Sequence, residues 1–334
     1  MPNYNGNAIY DYVVKKNLGY CFSVENNWLL LYGNARSVPK ILALVNKVDN
    51  IDINNMSNNE KENVNLAYKI AVQFKLPFIC IRFMTNSKEV FVLQSVKHWE
   101  KITYDQLRDL FEKYGVVEPG TARKPVNQYT SSPYHDWQRA NLGDITVSDL
   151  DMVRYRANKI EKIVELKRSK VSIDKWKPFP QDYPNFALII NTIVNSQVKI
   201  PFLLYYNEMK EGEIGKRKED ISLIRVFKFK IPIDMIEQDQ VEYYDCGKYT
   251  LDKALLDLSN IISIKIWKIR IFWEQVGNMI NGIIEYDFQN NCVDYLIDKT
   301  VDGSSKKVIT VKAPTGAGKT VILIKYVDKF LKNT

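Results

Sequence analysis

The chain has 334 residues, enough for two domains, and its 46% hydrophobic and 26% charged residues are typical of a folded globular protein. Its four cysteines lie far apart and form no C-x-x-C pair, which argues against a disulfide framework or a zinc site and predicts a reducing, cytoplasmic location. No run approaches the roughly 20 apolar residues of a membrane span, and the net charge of +8 is compatible with a polyanionic partner.

Residues 1–124 are predicted to form an α/β region whose function the sequence does not indicate. Hydrophobic patterns predict two strands and two helices in it: strands at 28–32 and 78–83, and helices at 60–74 and 103–114. A stretch rich in proline, glycine and serine at 119–133 then breaks the periodicity. We therefore predict a domain boundary between residues 124 and 125.

The next region, 125–258, has the order strand, strand, helix, strand. The predicted elements are a strand at 147–153, a strand at 162–167, a helix at 185–196 and a strand at 200–206. A short polar turn that contains Asn158 joins the first two strands.

Charged residues recur on the first two of these strands. Because side chains two positions apart share a strand face, Asp149 and Asp151 are expected on one face of the first strand, and Glu165 and Lys167 on one face of the second. A hairpin would set the carboxylates side by side. Carboxylates that converge on a magnesium ion, with a cation nearby, can cleave a phosphodiester bond. The competing interpretation is that a Glu-x-Lys pattern marks only a solvated strand face.

The pattern Asp151, thirteen residues, Glu165-Leu166-Lys167 resembles the PD-(D/E)xK nuclease superfamily. The resemblance implies a restriction-endonuclease-like mixed sheet core flanked by helices. It also implies that Asp151, Glu165 and the Leu166 carbonyl bind Mg²⁺ or Mn²⁺ and that Lys167 positions the attacking water. Leu150 stands where the family pattern has proline, so Asp149 remains an alternative or additional ligand.

Gln197, at the end of the predicted helix, is a candidate auxiliary active-site residue. A helix-terminal amide without a catalytic role is an equally good interpretation.

Residues 259–334 carry a nucleotide-binding motif. Ala313-Pro-Thr-Gly-Ala-Gly-Lys-Thr320 follows an apolar strand at 308–311 and opens an apolar helix, which is the context of a phosphate-binding P-loop. The expected nucleotide-binding residues are Thr315, Gly316, Ala317, Gly318, Lys319 and Thr320. Lys319 is expected at the β and γ phosphates of ATP, and the Thr320 hydroxyl at the accompanying magnesium ion.

The sequence of this motif resembles that of superfamily 2 helicases, especially the motor subunits of type III restriction enzymes. In that family an upstream glutamine recognises adenine, and Gln289, thirty residues before Lys319, has a similar spacing. The acidic motif of such motors would come after Thr334. We therefore expect this chain to contain only the beginning of the motor.

Together these patterns predict a magnesium-dependent DNA nuclease joined to an ATP-dependent motor, in restriction or antiviral defence. Repair or recombination would use the same parts, and RNA is an alternative substrate. A catalytically silent nuclease-fold module that tethers a helicase to its target is the alternative from a different class. The oligomeric state is open and includes a possible partner subunit, and no membrane association is expected.

Overall fold

Two six-stranded mixed sheets organise the part of the chain that the structure describes. This part of the computed structural model comprises residues 7–21, 26–49, 56–85, 87–94, 98–121, 132–211 and 217–255, with Val293 and Tyr326. Residues Met1–Ala254 cluster into one compact unit and Leu255–Thr334 into a second. The chain is thus of the mixed α/β class, as predicted.

The first sheet has the strand order β6-β5-β4-β3-β2-β7. Its strands are β2 (Asn27–Gly33), β3 (Pro39–Lys47), β4 (Phe78–Phe83), β5 (Glu89–Gln94), β6 (Trp99–Thr103) and β7 (Thr146–Asp149). Only β3 and β4 pair in parallel, because helix α2 (Asn58–Phe74) crosses over between them. The strands predicted at 28–32 and 78–83 and the helix predicted at 60–74 are confirmed.

Capping residues fix where the helices of this region begin. Ser57 and Glu60 form a capping box at the start of α2, and Thr103 and Gln106 form one at the start of α3 (Tyr104–Lys113). Helix α4 (Pro133–Asn141) begins after Ser132, whose hydroxyl accepts a hydrogen bond from the His135 amide. The predicted helix at 103–114 is confirmed, whereas α4 falls partly in the segment predicted as a linker.

The second sheet has the order β1-β8-β9-β10-β11-β12. Its strands are β1 (Tyr20–Cys21), β8 (Met152–Arg156), β9 (Lys159–Ser169), β10 (Phe202–Glu211), β11 (Arg217–Phe229) and β12 (Tyr243–Thr250). Strands β8 and β9 form a hairpin, and β10 pairs with β9 in parallel after the crossover helix α5 (Tyr183–Ser196). Helix α1 (Ala8–Lys15) precedes β1, and the short α6 (Leu251–Leu255) follows β12.

Each sheet contains a strand from the other side of the predicted domain boundary. Strand β1, from the start of the chain, pairs with β8 in the second sheet, and β7 pairs with β2 in the first. The boundary predicted between residues 124 and 125 therefore lies inside the first compact unit. The whole segment from β2 to β7 is inserted between two neighbouring strands of the second sheet.

Helix α5 lies between the two sheets and belongs to a core that both share. Phe186, Leu188 and Ile190 are fully buried with residues of β2 and β3 on one side and of β9 and β10 on the other. The one strongly polar position in the middle of the helix, Asn191, is satisfied. Its amide donates to the Ser37 and Ile236 carbonyls, each at 3.0 Å, and its Oδ1 accepts from the Ile236 amide at 2.8 Å.

A second core lies on the other face of the first sheet, under α3 and α4. Tyr32 is fully buried there, and its hydroxyl contacts the Tyr134 hydroxyl at 2.8 Å and donates to Gln138 at 2.7 Å. His135 packs edge-on against Trp28. In the parts of the chain that the structure describes, no helix is long and apolar enough to cross a membrane.

We expect His135 to make the fold sensitive to acid. Burial, and secondarily Arg139, lower the pKa of His135 from its usual 6.5 to about 4. A histidine with a lowered pKa contributes stability above its unfolded pKa and loses it as the pH falls towards its folded pKa. His135→Gln should therefore reduce the fall in melting temperature between pH 7 and pH 4.5. His98→Gln is the control, because the His98 side chain is 72% exposed, and it should leave the fall unchanged.

Alanine substitution of two glycines with positive φ distinguishes the steric from the conformational cost to stability. A Cβ on Gly143 would lie 1.7 Å from the Glu118 carbonyl oxygen, whereas one on Gly247 would meet no described atom within 4 Å. Gly247→Ala should cost about 1–2 kcal/mol of unfolding free energy, from the backbone conformation alone. Gly143→Ala should cost considerably more, since a backbone carbonyl must move. Urea unfolding of both variants measures the difference, and equal costs would contradict this account.

Candidate active site

The β8–β9 hairpin sets the register of the candidate site. Ala157 and Asn158 both have positive φ, 47° and 61°, as a two-residue hairpin turn requires. Gln73 of α2 holds this turn: its Nε2 donates to the Asn158 carbonyl at 2.8 Å, and its Oε1 accepts from the Ile160 amide at 3.0 Å. The predicted turn and the second predicted strand are confirmed.

Glu165 and Lys167 share a face of β9, as predicted. They lie opposite Leu204 and Tyr206 of β10, and their side chains form an ion pair with 2.9 Å between Nζ and Oε1. The Glu165 side chain is only 8% exposed. Its second oxygen, Oε2, is buried and has no hydrogen-bond partner among the described residues. The Glu-x-Lys pattern is therefore not a solvated strand face.

Asp151 does not lie on the strand that the sequence predicted. The predicted strand at 147–153 is two strands in two sheets, because β7 ends at Asp149 and β8 begins at Met152. Leu150 lies at the break: its amide donates to the Leu29 carbonyl at 2.8 Å, and its side chain is buried in the shared core. Asp149 thus ends exposed in the first sheet, and the prediction that it shares a strand face with Asp151 was wrong.

Asp151 nevertheless lies beside Glu165. Met152 pairs with Val164, so Asp151 is one position beyond the last pair of the hairpin. The Leu166 amide donates to its Oδ2 at 2.7 Å, and the Tyr10 hydroxyl of α1 donates to its Oδ1 at 3.0 Å. Tyr10 precedes Asp151 by 141 residues, and only its place on an amphipathic helix marked it in the sequence.

The site brings together two carboxylates that repel each other. Burial raises the pKa of Asp151 and the nearby Lys167 charge lowers it, with a net rise to about 6. Burial and the Asp151 charge raise the pKa of Glu165 to about 7, although Lys167 opposes this. Burial lowers the pKa of Lys167, but Glu165, Asp182 and Asp151 together raise it by more. Lys167 is therefore an ammonium group at neutral pH.

Asp182 is a residue of this cluster that the sequence interpretation missed. It immediately precedes α5, is 8% exposed, and its Oδ2 lies 4.0 Å from Lys167 Nζ. The Lys167 ammonium also lies over the Phe186 ring, 5.9 Å from its centroid. The run Gln-Asp-Tyr-Pro before an apolar helix could have suggested Asp182 as a helix cap, but not as a partner of a lysine on β9.

Gln197 is not part of the cluster. It follows the last turn of α5 in a left-handed conformation, and its Oε1 accepts from Lys75 Nζ at 3.0 Å. The first turn of the same helix is beside Lys167, and a helix of 14 residues is about 21 Å long. The P-loop residues Thr315 to Thr320 and Gln289 lie outside the described residues, so their prediction stands on the sequence.

The donor atoms of the site fit a divalent cation. In the described part of the chain the buried Glu165 Oε2 has no hydrogen-bond partner, and a cation would offset the repulsion between Glu165 and Asp151. Within the described ranges, no group of three or more His, Cys, Asp or Glu side chains is arranged to hold a metal. The protein ligands would be these two carboxylates with the Leu166 carbonyl, and water would supply the rest, as Mg²⁺ commonly keeps several waters.

In metal-free protein, we expect the ionised site to reduce stability as the pH rises. A carboxyl group with a raised pKa contributes most stability below its unfolded pKa and loses it as the pH passes through its folded pKa, here about 7 for Glu165. When the pH is raised from 5 to 8 in EDTA, the unfolding free energy of wild type should therefore fall by roughly 2 kcal/mol more than that of Glu165→Gln. Urea unfolding at the two pH values tests this, with Glu161→Gln on the same strand as the exposed control. Parallel behaviour of Glu165→Gln and wild type would contradict it.

No protein-family model matches the chain, and no curated protein matches it either.

Proposed function

We propose that the chain is a metal-dependent nuclease that hydrolyses phosphodiester bonds in DNA, with Asp151 and Glu165 as metal ligands and Lys167 as the catalytic cation. The observation that carries the proposal is the buried Glu165 carboxylate, with one oxygen paired to Lys167 and the other without a partner among the described residues. A buried ion pair seldom adds stability, because desolvation offsets the attraction. A binding function accounts for such a pair better than a structural one.

The strand topology around the site supports a restriction-endonuclease-like fold. The antiparallel β8–β9 hairpin, the crossover helix α5 and the parallel strand β10 follow the order expected from the PD-(D/E)xK resemblance. Helix α1 and strand β1 add a helix and an edge strand to the same sheet. Asp151 immediately precedes β8, and Glu165 lies on β9, which pairs with both β8 and β10.

Each side chain has a separate role in the proposed reaction. Asp151 and Glu165 would hold a Mg²⁺ or Mn²⁺ ion, and when bound the ion lowers the pKa of its water and offsets charge on the phosphate. The Lys167 ammonium orients the attacking water and stabilises the negative charge that develops on the phosphate. Tyr10 and the Leu166 amide fix the Asp151 carboxylate by donating to its two oxygens.

The second part of the proposal is an ATP-dependent helicase or translocase motor that begins in residues 259–334. It rests on the sequence Ala313 to Thr320 and on the superfamily 2 resemblance. A nuclease joined to such a motor is the organisation of restriction and antiviral defence enzymes. Repair or recombination is the alternative role for the same two activities, and the widely spaced cysteines support a cytoplasmic location.

The proposal predicts metal-dependent cleavage that needs Lys167. The purified chain should cleave DNA with Mg²⁺ or Mn²⁺ and not with EDTA, and Lys167→Ala should lower the rate at least 100-fold, because both water positioning and charge stabilisation are lost. Lys159→Ala, an exposed lysine of the same strand, is the matched control and should cleave normally. Gel assays on linear, circular and single-stranded DNA, with RNA alongside, measure the rate and identify the substrate.

Equal cleavage by wild type and folded Lys167→Ala would contradict the proposed site and point to a contaminating nuclease. DNA binding without cleavage in any metal would instead favour the silent-module alternative. The two results are distinguished by measuring binding and cleavage on the same preparations.

A further inference from the structure

We propose that Asp182 is a positioning residue whose carboxylate pairs with the Lys167 ammonium when Glu165 binds a metal ion. The inference rests on the proposed function, since it assumes that Glu165 is a metal ligand. It assigns a role to a third carboxylate, which belongs to the start of α5 rather than to the hairpin that carries Asp151 and Glu165.

The ammonium lies between two carboxylates at unequal distances. Lys167 Nζ is 2.9 Å from Glu165 Oε1 and 4.0 Å from Asp182 Oδ2. A displacement of about 1 Å towards Asp182 would bring Nζ within the usual hydrogen-bond range of roughly 2.7–3.2 Å. The ammonium also lies over the Phe186 ring of α5, 5.9 Å from its centroid, in a cation–π interaction.

Metal binding makes a second partner necessary. With a divalent ion on Oε2, the Glu165 carboxylate would share its negative charge between that ion and the ammonium on Oε1, and the two cations repel each other at short distance. A lysine that is only 28% exposed then needs a second counterion. Asp182 is near Lys167 and, unlike Glu165 and Asp151, belongs to the start of α5 and not to the hairpin.

The conformation of Asp182 is consistent with this role. An aspartate that precedes a helix commonly accepts hydrogen bonds from the first turn. Asp182 instead has helical backbone angles, φ −95° and ψ −6°, and among the described contacts its side chain makes no capping hydrogen bond to α5. Its carboxylate is directed towards the strand that carries Lys167.

The test measures Mn²⁺ affinity by calorimetry in a double-mutant cycle, so it does not depend on cleavage. In Asp182→Asn the ammonium stays on Glu165 and competes with the ion, so Mn²⁺ should bind about tenfold more weakly than to wild type. Lys167→Gln should bind at least as tightly as wild type. In the Lys167→Gln background, Asp182→Asn should have no further effect, because no ammonium remains to be held.

Control variants separate this mechanism from others. Asp182→Glu keeps the charge and should restore most of the affinity, and Asp174→Asn, an exposed carboxylate of the same loop, should bind as wild type does. The same tenfold loss in both backgrounds would overturn the proposal, because Asp182 would then act as a ligand or a remote charge. An unchanged affinity in folded Asp182→Asn would also overturn it. Absence of Mn²⁺ binding by wild type would instead overturn the proposed metal site.

Discussion

The burial of helix α5 between two sheets is the constraint on which the rest of the structure depends. A helix that is apolar on nearly every side is stable only where two surfaces cover it, and here the first sheet covers one side and the second sheet the other. The same helix carries Asp182 and Phe186 to Lys167. Packing of the core and placement of charges around the candidate site are therefore consequences of one helix position.

The carboxylates of the candidate site reduce the stability that the buried helix provides. Asp151 and Glu165 are held together by a hairpin register, a tyrosine and a backbone amide, although burial and mutual repulsion favour their neutral forms. Such an arrangement persists when the surrounding structure fixes it and a ligand compensates its charge. The proposed cation would be such a ligand.

Local patterns in the sequence predicted helices α2, α3 and α5 and strands β2, β4, β9 and β10, because apolar periodicity and the polar turn at Asn158 act over a few residues. The pairing of Glu165 with Lys167 followed from the period of a strand. The break at Leu150 did not, since alternation continues through 147–153 although a buried leucine carries the chain from one sheet to the other. Tyr10 and Asp182 reach the site through tertiary packing, which has no local signature.

The insertion of β2 to β7 between β1 and β8 has a consequence for synthesis of the chain. Strand β1 leaves the ribosome well over one hundred residues before its partner β8, so it must wait while the first sheet forms. Contacts between distant residues close slowly. The inserted segment can bury one face under α3 and α4 by itself, but its other face needs α5. The second sheet is thus completed last, and Tyr10 reaches Asp151 only when both ends of the insertion have been brought together.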